Sequence, residues 1–181
     1  MNILILHGIG GYAGIHWQQW LHDQLIDQGF SVIMPTLSNS GHPDRNIWLK
    51  ETINATNGIQ PENIIVVGHS LGVTTALDYI EQLSSPLKGL VSVSGFTGDY
   101  GNELNSYYLH EKSINFKIVR RNIQKSVVIY GDNDPYVTQV ALKKLASDLD
   151  DEPIVIPKGG HLNSETGFTQ FPKLLEVINN F

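Results

Sequence analysis

The chain has 181 residues, 41% of them hydrophobic and 17% charged, a formal net charge of −6 and no cysteine. That apolar content excludes a disordered chain and suffices for a core without staples, while the missing thiols exclude disulfides, thiolate nucleophiles and Cys-ligated metals. The acidic balance, with no basic tail, gives no support to nucleic-acid binding, which begins with phosphate neutralisation.

Met1-Asn2-Ile3 has neither the basic n-region nor the cleavage site of a signal peptide. The longest apolar runs are a few residues, far short of the roughly 18 that span a bilayer. A cytoplasmic protein without membrane association is expected. The run Ile3–Leu6 is apolar on both faces, as a buried parallel strand requires. It ends in His7-Gly8-Ile9-Gly10-Gly11, and His7 is expected to hold this loop by hydrogen bonding. Gly8 to Ala13 also fits the dinucleotide fingerprint G-x-G-x-x-[GA]. That motif wants an acid at the end of the second strand, where this chain has Ile33-Met34-Pro35-Thr36. Trp17, Trp20, Leu21 and Leu25 share one helical face. Ser31–Met34 reads as a strand. Asp44 is a candidate N-cap for a helix that buries Ile47, Trp48 and Ile53 and ends at Gly58.

Asn63–Val67 is a third strand, and Gly68-His69-Ser70-Leu71-Gly72 follows it and opens a helix over Leu71–Leu83. This is the strand–turn–helix setting of a G-x-S-x-G nucleophile elbow, in which small neighbours let the serine occupy a strained turn. His69 is expected to point away from the serine as a packing residue, with a tentative place in substrate binding. Gly89–Ser94 is the fourth strand. The interval 95–124, with Phe96, Tyr100, Tyr107, Tyr108 and Phe116, is long enough for a small cap over the strand ends; an ordinary crossover helix with a long entry loop is the alternative. Ser126–Tyr130 and Pro153–Ile156 are the last strands, with a helix carrying Val137, Val140, Ala141, Leu145 and Leu149 between them. Phe171–Phe181 closes the chain as a helix with Leu174, Leu175 and Ile178 inward. Six strands alternating with helices predict one α/β domain over 1–181, with a doubly wound parallel sheet in the order 2-1-3-4-5-6 and a site at the strands' carboxyl ends.

A serine hydroxyl needs a base, and the base an orienting carboxylate. His161, in Gly159-Gly160-His161 past the last strand, is the expected base. Asp134 and Asp132 both follow the fifth strand. Pro135 stiffens the backbone after Asp134 and the order Ser70…Asp134…His161 suits an α/β-hydrolase, so Asp134 is preferred; Asp99 is an outside candidate. The amides of Ile9 and Leu71 would form an oxyanion hole. Phe96 with other cap aromatics would line an acyl pocket, and His7 is a tentative substrate contact. His16, His22, His42 and His110 read as surface or packing residues. No His pair has the i, i+4 spacing of a helical zinc site, so neither metal nor organic cofactor is expected.

Together, His7-Gly8, His16-Trp17, Gly68–Gly72, Ser94-Gly95-Phe96, Asp132–Val137 and Gly159–Phe168 resemble the small α/β-hydrolase family of YdeN-like and retinoblastoma-binding-protein-nine-like serine hydrolases, along the whole chain. The resemblance implies a reduced α/β-hydrolase fold, a Ser70–His161–Asp134 triad and an acyl-enzyme route on small-molecule esters or amides. A chain without cysteine lacks the L-x-C-x-E motif, so retinoblastoma-protein binding is not implied. A non-catalytic binding module, or an acyltransferase or peptidase with the same triad, are the alternatives.

Overall fold

The computed structural model describes residues 1–181. Six strands, β1 (Asn2–Leu6), β2 (Ser31–Ile33), β3 (Ile64–His69), β4 (Gly89–Val93), β5 (Ser126–Gly131) and β6 (Ile154–Ile156), form one sheet. All neighbours are parallel, in the order β2-β1-β3-β4-β5-β6. The expected strand order is the one observed.

The doubly apolar strand runs have a direct cause in the pleat, which turns successive side chains to opposite faces. Leu4, Leu6, Ile64 and Val66 face one layer, which holds α3 (Leu71–Glu81) and α6 (Gln139–Leu149). Ile3, Ile5, Ile65 and Val67 face the other, covered by α1 (Gln18–Asp27) and α7 (Pro172–Asn179) through Leu21, Leu25, Leu174 and Ile178. Both layers are buried, so neither strand face has a polar alternation to show.

Two helices depart from the expected faces. In α2 (Arg45–Ala55) Asp44 does cap the N-terminus, accepting from the Ile47 amide at 2.9 Å. Ile47 and Ile53, however, are 46% and 41% exposed, and it is Trp48, Thr52 and Arg45 that face inward. In α6, Val140 is 78% exposed and Leu142 takes the buried place.

The inward turn of Arg45 is explained by what it meets. Its Nε and Nη2 donate to the two oxygens of Asp78 on α3 at 2.7 and 3.1 Å, a bidentate pair in which both side chains are almost fully buried. Its Nη1 donates to the carbonyls of Tyr108 and Lys112 at 2.9 and 2.7 Å. Those carbonyls belong to the interval 95–124, which contains α4 (Glu103–His110) and α5 (Phe116–Arg121). Tyr108 is fully buried and its hydroxyl meets Thr75 of α3 at 2.9 Å. The interval is therefore two short helices, the first riveted to α2 and α3 through one guanidinium and one tyrosine.

Asp78 has a second cation, since Lys112 Nζ donates to its Oδ1 at 3.0 Å. Arg45→Ala is therefore expected to lose, in urea unfolding, less than the roughly 3–5 kcal/mol of a buried charge left with no partner, and Arg45→Met with Asp78→Leu to lose less again. Equal losses would show that the pair's charge balance is not what matters.

Candidate active site

The loops after β1, β3, β5 and β6 and the entry to α4 meet at the carboxyl end of the sheet around a cavity of about 320 Å³. Ser70 sits between β3 and α3 with φ 55° and ψ −126°, a left-handed backbone that a non-glycine residue adopts only under constraint. The constraint is the close approach of the elements. A Cβ at Gly72 would lie 2.5 Å from the His7 carbonyl oxygen, and one at Gly68 would lie 2.9 Å from the Val73 backbone. The Ser70 amide donates to the Val93 carbonyl at 2.9 Å, tying the turn to the end of β4.

His161 lies in a loop with three left-handed residues, Lys158, Gly160 and Leu162. That loop is stitched to the one after β5. Asp132 accepts from the Lys158 amide at 2.7 Å and Asn133 from the Gly160 amide at 2.8 Å. Asp134 has both oxygens engaged. Oδ1 accepts from the amides of Tyr136 and Val137 at 2.9 and 3.0 Å, and Oδ2 receives His161 Nδ1–H at 2.7 Å. The Asp134 side chain is fully buried and that of His161 8% exposed. With Nδ1 donating, the neutral ring keeps Nε2 as an acceptor. Ser70 and His161 line the same cavity. Asp132 serves the neighbouring loop, and Asp99 pairs with His110 at 2.8 Å, away from the cavity lining.

Ile9 also lines the cavity, and its amide has no acceptor within the chain. Leu71 is the first residue of α3, where helix geometry leaves the amide without an intrahelical partner.

The tentative substrate contacts fare differently. His7 is fully buried; Nδ1–H donates to the Gly8 carbonyl at 2.8 Å and Nε2 accepts from the Leu37 amide at 2.9 Å. It shapes the loop after β1 and does not line the cavity. Phe96 is 1% exposed and packs edge-on behind Tyr100, 5.0 Å between centroids; Tyr100, not Phe96, reaches the cavity. His69 is buried against His161, its Nε2–H donating to the His161 carbonyl at 3.0 Å and its ring 5.0 Å from the His161 ring. It also lines the cavity.

His16 is the side chain that sequence reasoning left on the surface and the fold brings to the cavity. Its partner Ser164 lies 148 residues away, so no local pattern signals it. The motif His16-Trp17 was the only hint: Trp17 is fully buried and donates from its indole to the Leu162 carbonyl at 2.8 Å. No group of three or more His, Asp or Glu is arranged to hold a metal ion, and no helix is long and apolar enough to cross a membrane.

A fold of this order with a serine in a strained turn after β3 has known relatives. The serine hydrolase family model matches residues 3–180, and the chain belongs to that family. YdeN of Bacillus subtilis is 26% identical over 99% of this chain and 95% of its own length. Its crystal structure superposes with a TM-score of 0.91, covering 99% and 97% of the two chains. The rat serine hydrolase RBBP9 is 25% identical over 94% of this chain and 89% of its own. The meta-cleavage product hydrolase of Pseudomonas fluorescens shares the fold alone, with a TM-score of 0.75 at 12% identity and coverage of 99% and 91%. The architecture is the α/β-hydrolase fold.

Burial holds the imidazoles of His69, His16 and His7 below the usual histidine range, His69 furthest, and the nearby His161 lowers His69 and His16 further. The unfolded chain thus binds protons first as pH falls. This contribution to stability is complete above the ordinary histidine value of about 6.5 and is lost below it. Urea midpoints should fall between about pH 7 and pH 5, less steeply in His69→Asn. Identical slopes would remove His69 from this account.

Proposed function

We propose that the protein hydrolyses small-molecule esters or amides through an acyl-enzyme on Ser70, with His161 as base and Asp134 as its orienting carboxylate. The observation that carries this reading is the buried Asp134–His161 hydrogen bond of 2.7 Å, opening onto the cavity that the strained Ser70 turn also lines. Membership of the serine hydrolase family supports it.

In this mechanism Ser70 Oγ attacks the substrate carbonyl carbon while His161 Nε2 takes the hydroxyl proton. The carbonyl oxygen becomes an oxyanion, stabilised by the amides of Ile9 and Leu71, which have no backbone acceptor of their own. The carbon–leaving-group bond then breaks and His161 returns its proton to the leaving atom. Water repeats the sequence on the acyl-serine, releasing the acid. Asp134 keeps the ring in the Nδ1–H tautomer and steadies the imidazolium. Two backbone amides fix one of its oxygens, so its other oxygen is aimed without help from a flexible partner. The cavity volume suits short or medium acyl groups, and the interval 95–124 acts as a fixed cap that contributes Tyr100 and Leu104 to the wall.

A fluorophosphonate should modify Ser70 and no other serine, read by mass spectrometry of labelled peptides. Labelling elsewhere, or none, would end the hydrolase reading in favour of a binding module.

Asp134→Asn should lower kcat by about 10⁴, since the amide favours the wrong tautomer and carries no charge. Asp132→Asn should cost far less, because an amide oxygen still accepts from the Lys158 amide. A crippled Asp132→Asn beside a near-normal Asp134→Asn would reverse the assignment.

A further inference from the structure

His16 has features that packing alone does not require. It is a non-glycine residue at φ 59°, so the backbone is held in a costly conformation at this point. Its ring lines the cavity and meets the His69 ring edge-on, 5.5 Å between centroids. The Ser164 amide donates to its Nδ1 at 3.3 Å, and the Ser164 hydroxyl lies 2.9 Å from the same atom. A backbone amide can only donate, so Nδ1 is an acceptor and the neutral ring carries its proton on Nε2. Nε2 makes no hydrogen bond within the protein. Burial and the nearby His161 favour the neutral ring and outweigh the Glu165 carboxylate, which favours the charged one. The result is a fixed, uncharged N–H donor on the cavity wall, in a known tautomer.

Its position selects what it can meet. His161 hands its proton to the leaving atom, so the leaving group must lie against His161. Around that ring stand His69 and Tyr136, at 5.0 and 5.3 Å between ring centroids, His16, and the carboxylate of Glu165. Glu165 is itself held by the Tyr136 hydroxyl and by Asn163 Nδ2. The cavity lining thus carries the His16 N–H beside His161, with Asn102, Asn105 and Asn163 as further polar groups and Ile9, Val137 and Leu104 as apolar surface.

We propose that His16 is a specificity-determining residue that donates from Nε2 to an oxygen on the leaving group, and that the preferred substrates are esters whose alcohol carries a second hydroxyl, as in diol or polyol esters. A second hydroxyl brings an oxygen that can accept from His16; a plain alkyl alcohol brings none. This inference rests on the acyl-enzyme reading of Ser70.

The test pairs two esters of one short acid, the 2-hydroxyethyl and the propyl ester, of nearly equal size. A single neutral hydrogen bond predicts a kcat/KM ratio of about five to ten in favour of the hydroxyethyl ester. His16→Gly relieves the backbone and removes the donor; the ratio should fall to about one. His16→Asn tolerates a left-handed backbone and restores a shorter donor, so part of the ratio should return. If His16 merely pins its loop to Ser164, both esters slow together at an unchanged ratio, and the proposal is overturned. A wild-type ratio near one overturns it as well. Fluorophosphonate labelling of Ser70 separates these results from failure of the parent reading: a chain that neither labels nor hydrolyses either ester loses both, while one that labels and hydrolyses without discrimination loses only the role of His16.

Discussion

The approach of α3 to the ends of β1 and β3 is the constraint on which the rest of the site depends. Helix and strands are so close at this point that Gly72 stands against the carbonyls of Leu6 and His7, with no room for a methyl group at 2.5–2.6 Å. A helix packed that tightly cannot be reached from β3 by a relaxed turn, and Ser70 takes the strain at φ 55°. The same contact brings the loop after β1 alongside the serine: a Cβ on Gly8 would fall 2.9 Å from the Ser70 Cβ. One steric fact thus puts Ser70 in its strained turn at the head of α3 and sets the loop of Gly8 and Ile9 beside it. His7, held at both ring nitrogens, keeps that loop from relaxing away.

The second half of the site is built by hydrogen bonds across a close loop-to-loop contact. The loops after β5 and β6 hold each other through Asp132, Asn133 and Asp134, three consecutive side chains with three different backbone or ring partners. Gly131 makes this possible by close approach, since a Cβ there would meet the Gly160 oxygen at 2.3 Å. The run Asp132-Asn133-Asp134 is therefore a connector between two loops as well as the seat of one carboxylate.

Much of this was legible in the sequence, and the exceptions share a cause. Strands apolar on both faces identified a parallel sheet because both faces are indeed covered. The glycine pattern around Ser70 carried its own steric explanation. Helix α2 was misread because periodicity counts apolar residues, whereas the inward residue at its start is an arginine whose charge is answered by Asp78 and by carbonyls from another segment. Of the cap aromatics expected to line the cavity, Tyr100 does and Phe96 packs edge-on against it outside the lining. His16 escaped notice because its significance comes from Ser164 and His69, remote in the chain. What pattern and spacing reveal is local; ion pairs and ring contacts across the fold are not.

The sheet's edge adds a consequence of its own. β6 has only three residues, pairs on one side with β5, and leaves Val155 43% exposed. Ser70 hangs from the centre of the sheet, but His161 hangs from this margin. Opening of protein structure proceeds in parts, and short peripheral strands belong to the least costly parts. Fraying of β6 would loosen one anchor of the His161 loop, leaving the bonds from Asp132, Asn133, His69 and Trp17 to hold it, while the Ser70 turn is untouched. Ser70 and His161 thus have separate lifetimes within the native ensemble, and the shorter one governs how long the two stay side by side.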